Sequence, residues 1–221
     1  MDTSRWQRVG PVAGIVAVLL AIISVVMTSG DMPDFIDDAE TISAYYADDP
    51  GKLIGGYVID AFSTILLVVF AAALYVRLGG VPRGPLPPAA FGGAIAMAVM
   101  FMVYDVMNLA LAFRADEDGA VAADVAASLN DVGNLALGLG GTMFGAVFVA
   151  CTAWSALGSG VLPRWLCFVS FALALGLVIA PISWAFLPLL LLWVLAVSVL
   201  MWRDPASAGA APPPATATTP A

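Results

Sequence analysis

Histidine is absent from this 221-residue chain, and lysine occurs once, at Lys52. The commonest metal ligand and the usual acid–base group near neutral pH are therefore both missing. Two cysteines, Cys151 and Cys167, are too few for a disulfide framework or a structural zinc site. Charge of either sign is scarce at 11%, against roughly 25% in a soluble domain. The acidic loops lack the spaced ligands and turn glycine of a calcium loop. No catalytic, cofactor or metal motif is present, so enzymatic activity is not expected. The net charge of −8 says little as a total, and no nucleic-acid partner is expected.

What fills the chain instead is hydrocarbon. Hydrophobic residues make up 62% of it and the mean hydropathy is +0.98. A chain this short cannot enclose that much apolar surface in a water-soluble core, so lipid must be the solvent for most of it. The expected fold is an all-α, polytopic membrane helix bundle of six transmembrane helices. Its spans fall at about 9–28, 53–76, 88–113, 131–154, 163–181 and 184–202. Residues 1–203 form one transmembrane domain, and the Pro/Ala/Thr-rich tail at 204–221 is expected to be disordered.

The boundaries carry local signals. Arg5, Trp6 and Arg8 precede the first apolar run, with Pro11 near its first helical position. That start resembles a signal peptide, but the run is long and no clear small-x-small cleavage site follows, so a retained span is expected. Residues 30–52 are acidic. Within them, positions 36–47 alternate acids with Ile36, Ile42, Tyr45 and Tyr46, the pattern of a short helix lying on the outer surface. Asp49-Pro50 reads as the cap and first turn of the second span. Val121–Leu129 is a candidate helical lead-in to the fourth span. Gly10-x-x-x-Gly14 and Gly141-x-x-x-Gly145 are expected to pack helices against one another. Cys151 and Cys167 are expected to be reduced and packed among apolar groups.

Loop cations set the orientation. Arg5, Arg8, Arg77, Arg83, Arg164 and Arg203 fall at one side of the six spans, whereas Lys52, Arg114 and nearly all loop acids fall at the other. Both termini are therefore expected in the cytoplasm. Trp6, Trp154, Trp165, Trp184 and Trp202 lie at span ends as an aromatic belt requires, and Trp193 is expected to pack mid-membrane.

Against this apolar background a few polar residues stand out. A carboxylate at the centre of a lone span costs about 2.5–3.5 kcal/mol on insertion scales, so such groups turn toward the bundle or a wet cavity. Asp60 lies about 10 Å and Asp105 about 12 Å below the outer surface at 1.5 Å per residue. Helical spacing places Tyr57, Asp60, Ser63 and Thr64 on one side of span two, and Asp105 with Asn108 on one side of span three. Asn130, Asp131 and Asn134 open span four. Spans two, three and four are expected to meet around these residues in a polar pocket open to the outer face.

Two roles fit such a pocket. In the first, hydrogen bonds among Asp, Asn, Ser and Tyr fix helix register in a structural or partner-binding protein. In the second, the carboxylates bind a cation, a proton or an amine-bearing small molecule in a small transporter or binding protein. The first is favoured, because the acids are only about two turns deep and no cation within a span pairs with them. A packed pocket belongs to the first role and a water-accessible cavity reaching Asp60 and Asp105 to the second. Beyond the lipid bilayer, the expected partners are another membrane protein, a second copy of the chain, or such a ligand.

The motif Gly160-Val161-Leu162-Pro163-Arg164-Trp165-Leu166 resembles one that follows span four in six-span bacterial membrane proteins grouped as domain of unknown function 4386, and in related actinobacterial hypothetical proteins. Ala73-Leu74-Tyr75-Val76-Arg77-Leu78, and Leu192-Trp193 with Ser198, are similar too. The resemblance follows the span plan of residues 9–202. It implies the architecture and a place in the bacterial cytoplasmic membrane, and it brings no activity, cofactor or site residue.

Overall fold

A computed structural model describes residues 3–29, 33, 37–79, 84–179 and 183–203. Every regular element among them is helical. In chain order they are α1 (Thr3–Thr28), α2 (Ala39–Asp48), α3 (Pro50–Arg77), α4 (Leu86–Asp118), α5 (Ala123–Leu135), a π-helical turn (Ala136–Gly141), α6 (Thr142–Ser159), α7 (Arg164–Val178) and α8 (Ser183–Arg203). α5, the π turn and α6 form one continuous rod, Ala123–Ser159.

Among the described residues, five helices are long and apolar enough to cross a membrane: Arg8–Thr28, Pro50–Arg77, Leu86–Asp118, Ala123–Ser159 and Phe186–Arg203. The chain is a multi-pass membrane protein. The span expected at 163–181 is a 15-residue helix, Arg164–Val178. At 1.5 Å per residue it is about 22 Å long, short of a hydrocarbon layer of about 30 Å. Position 181, Ile36 and the tail at 204–221 lie outside the described residues, as do the side chains of Arg5, Trp6 and Trp184.

Several helices outrun the expected spans. α1 begins at Thr3, so Pro11 sits inside it rather than at its start. α4 continues through its acidic end, where Arg114 pairs with Asp118 at 3.3 Å, and stops at Gly119 with φ 75°, the left-handed cap that glycine favours. The lead-in expected before span four is α5. Asp49 caps α3 by accepting a bond from the Lys52 N–H at 3.1 Å.

The six long helices close a ring in chain order. α1 packs on α3, α3 on α4, α4 on α6, α6 on α7, α7 on α8, and α8 back on α1. Small residues let them approach. A Cβ on Gly10 would lie 2.1 Å from the Ala73 Cβ, and one on Gly14 2.1 Å from the Ser198 Oγ. Gly141 and Gly145 face Phe101 and Met97 of α4. Both glycine motifs thus pack within the chain, as expected.

The ring is filled at the end away from α2. There Phe70, Leu74, Met97, Phe148, Leu177 and Trp193 share one apolar core that includes Cys167, with Cys151 against it. Both cysteines are free thiols. Trp193 meets Phe148 edge-on at 5.4 Å, and its Nε1–H donates to the Ser170 Oγ at 2.7 Å. Trp154, Trp165 and Trp202 are exposed at this end. Arg77, expected as an interfacial cation, is instead buried. Its guanidinium donates to the Met201 carbonyl at 2.7 Å, in the last turn of α8, where a helix presents unpaired oxygens.

Candidate functional site: an acidic cavity and a closed amide cluster at the α2 end

The short helix expected near 36–47 is α2, Ala39–Asp48, which packs one face against the bundle and leaves the other exposed. Asp38 starts it by accepting from the Thr41 N–H at 2.9 Å and the Thr41 hydroxyl at 3.0 Å. Those bonds hold its carboxyl below the usual aspartate value of 3.8. The helix then drives Ile42 and Tyr46 into a second apolar cluster with Tyr57, Tyr104, Leu111 and Ala126. Four of the chain's five tyrosines gather here, Tyr45 and Tyr46 from α2, Tyr57 from α3 and Tyr104 from α4. Burial pushes the Tyr45 and Tyr46 phenols above their ordinary range, so both are neutral donors at any physiological pH.

Each α2 tyrosine makes a long-range bond. The Tyr45 hydroxyl donates to the Thr28 carbonyl at 2.6 Å, closing the C-terminal turn of α1. The Tyr46 hydroxyl donates to Asn108 Oδ1 at 2.5 Å, with Asn130 Oδ1 at 3.3 Å. Asn108 returns its amide to the Tyr104 carbonyl at 2.7 Å. Asn134 is buried one turn further along α5. This amide cluster is sealed, with Asn108 and Asn130 at most 1% exposed.

The other polar residues line a cavity of about 280 Å³. It runs beside α1 from exposed Ser29 down to Ala17. Tyr57, Asp60, Ser63 and Thr64 form one wall, Phe101 and Tyr104 another, and α8 supplies apolar residues from Leu187 to Val194. Ser63 is committed, its hydroxyl donating to the Ala17 carbonyl at 2.8 Å. Asp60 is half-buried and faces the void. Asp105 lies beside it, 1% exposed, and neither of its oxygens receives a hydrogen bond. Two negative charges this close would repel one another. The Tyr57 hydroxyl is also buried at the cavity wall without a partner.

The single pocket expected between spans two, three and four is thus corrected to two sites. The polar side of α3 turns toward α1, which packs against it, with α8 facing it across the cavity. Tyr46 pairs with the amides of α4 and α5 and draws Asn108 and Asn130 away from the cavity. Asp131 joins neither group. It is half-buried, turned about 100° from Asn130 by helical geometry, and does not line the cavity. Sequence reasoning missed the contribution of α1 and α8, whose lining residues are mostly ordinary apolar ones. It also missed Tyr104 and the clustering of tyrosines in the acidic half of the chain, a signal that was available.

The chain matches no protein-family model, no curated protein and no solved structure.

Proposed function

We propose that this protein is a small-molecule binding or transport protein of the bacterial cytoplasmic membrane, not an enzyme, with its ligand held in the cavity beside Asp60. The observation that carries this reading is the void itself. A polar helix face kept only for register would be packed shut, whereas here about 280 Å³ stands open against Asp60, with unpaired Asp105 behind it and the orphan Tyr57 hydroxyl in its wall.

The same proposal includes six crossings, with Arg164–Val178 as a short span, and both termini cytoplasmic. Of the described arginines, Arg8, Arg77, Arg164 and Arg203 belong to the end opposite α2 and Arg114 alone to the acidic α2 end, which supports a cavity that opens away from the cytoplasm. Kinship with the six-span bacterial family rests on the Pro163-Arg164-Trp165-Leu166 motif.

Thiol labelling tests the cavity. In a Cys151→Ala, Cys167→Ala background in sealed vesicles, a Leu187→Cys thiol on the cavity wall should react with a water-soluble methanethiosulfonate from the α2 side alone. A Phe62→Cys thiol, on a side chain 59% exposed on the outside of α3, should not. Equal failure of both thiols to react would sink the proposal.

A further inference from the structure

We propose that the cavity takes a lipophilic monocation, an ammonium carrying an apolar group, with its charged head between Asp60 and the rings of Tyr104 and Phe101 and its apolar part along α8. The inference rests on the reading of the cavity as a ligand site and adds the chemical class of the ligand.

Three observations point there. First, charge is offered at one place only. Asp60 is the one ionisable carboxyl on the wall, Asp105 stands behind it, and no described basic residue lines the void. Second, the Asp60 carboxyl lies within electrostatic range of the Tyr104 hydroxyl, and Phe101 and Tyr57 complete an aromatic rim in the same wall. Carboxylate plus aromatic faces is the chemistry that recognises an alkylammonium. Third, α8 lines one side of the void with Leu187, Leu190, Leu191 and Val194, which suits an apolar substituent, while Ser24, Thr28 and Ser29 bring hydroxyls along α1.

A hard divalent ion fits poorly. It needs about six oxygen ligands or more, several of them usually charged, and this wall offers one carboxyl with otherwise neutral hydroxyls. Among the described residues no group of three acids or thiols comes together to hold a metal. An anionic or zwitterionic ligand would place its carboxylate against Asp60 with no cation to receive it. The orphan Tyr57 hydroxyl, 1% exposed, leaves room for one hydrogen bond from a ligand or its water.

The test uses the full chain in lipid nanodiscs, with empty nanodiscs subtracted, and equilibrium dialysis against benzyltrimethylammonium, neutral benzyl alcohol and anionic phenylacetate. Benzyltrimethylammonium should bind at one per chain and phenylacetate should not. The isosteric Asp60→Asn change should weaken the cation about tenfold or more, the scale of a lost charge-assisted contact, and leave benzyl alcohol within about twofold. Phe101→Leu should weaken it about threefold, in the range of one cation–π contact. Leu187→Trp, which fills the void without touching the acids, should remove both cation and alcohol.

Equal affinity for cation and alcohol, or a cation affinity indifferent to Asp60→Asn, would overturn the inference. If benzyl alcohol binds and is lost in Leu187→Trp while the cation never binds, the cavity stands as a ligand site and the cationic class falls. If neither compound binds and thiol labelling of the wall also fails, both fall together.

Discussion

Tyr46 and Tyr57 stand on neighbouring helices at the same end of the bundle, and their hydroxyls meet opposite fates. Tyr46 reaches two asparagines at 2.5 and 3.3 Å, inside packing that leaves Asn108 and Asn130 at most 1% exposed. The Tyr57 hydroxyl makes no hydrogen bond of ordinary geometry; it lies among the phenols of Tyr45, Tyr46 and Tyr104, beside the void. The amide cluster is largely satisfied, with the Tyr46 hydroxyl and both ends of the Asn108 amide bonded and only the Asn130 Nδ2 left without a partner, as a structural role produces. The acidic cavity leaves the same kind of group unsatisfied at a cost of roughly 1–3 kcal/mol each, which is sensible only where something else supplies the partner. On the proposed reading, the two roles weighed for the polar residues are divided between adjacent sites.

Substitutions can break that comparison. The largest effect is expected from Asn108→Leu, which strands the buried Tyr46 hydroxyl and removes the bond to the Tyr104 carbonyl. It should lower stability by about 2–4 kcal/mol, read from unfolding in mixed micelles. A loss below about 0.5 kcal/mol would mean the cluster holds nothing together.

Asp105→Asn should behave in the opposite sense. It replaces an unpaired buried carboxyl with an amide able to donate to Asp60, so stability should stay level or rise by about 1 kcal/mol in the same assay. A fall comparable to that of Asn108→Leu would erase the distinction between the two clusters.

The smallest effect concerns Asp38, at the start of the helix that delivers the tyrosines. Its carboxyl is held below 3.8 by the Thr41 N–H and hydroxyl. The sign follows: the cap is fully formed above that ordinary value and is lost as pH falls through the lower folded one. Acidification through that window, or Asp38→Ala, should speed amide exchange at Thr41 and leave the amides of α4 unaltered. Unchanged exchange at Thr41 would show that packing of Ile42 and Tyr46 alone sets the start of α2.

Much of the architecture was legible because it follows from local chemistry. Asp49-Pro50 caps α3, the small-residue motifs at Gly10 and Gly141 pack helices together, and Trp193 buries itself where the belt tryptophans do not. The site was legible only as membership. Tyr57, Asp60, Ser63 and Thr64 share a face in any α-helix, so their common wall could be foreseen. That α1 and α8 form the opposite wall could not, since Ala17, Leu187 and Leu190 look like any other lipid-soluble residues. Arg77 misled for a related reason. An arginine at a span end reads as an interfacial cation, and only the arrival of the α8 terminus beside it turns it into a cap for the Met201 carbonyl.

By itself the sequence determined the solvent of this protein and the character of each helix, because hydropathy, capping and charge bias act within a few residues of one another. Only the tertiary structure decided which polar groups would be answered and which left open. That depends on which helices a ring brings face to face, and on Tyr46 reaching across from a helix far away in the chain to Asn108 and Asn130. No periodicity encodes such meetings, and the empty space beside Asp60 exists only where they fail to fill it.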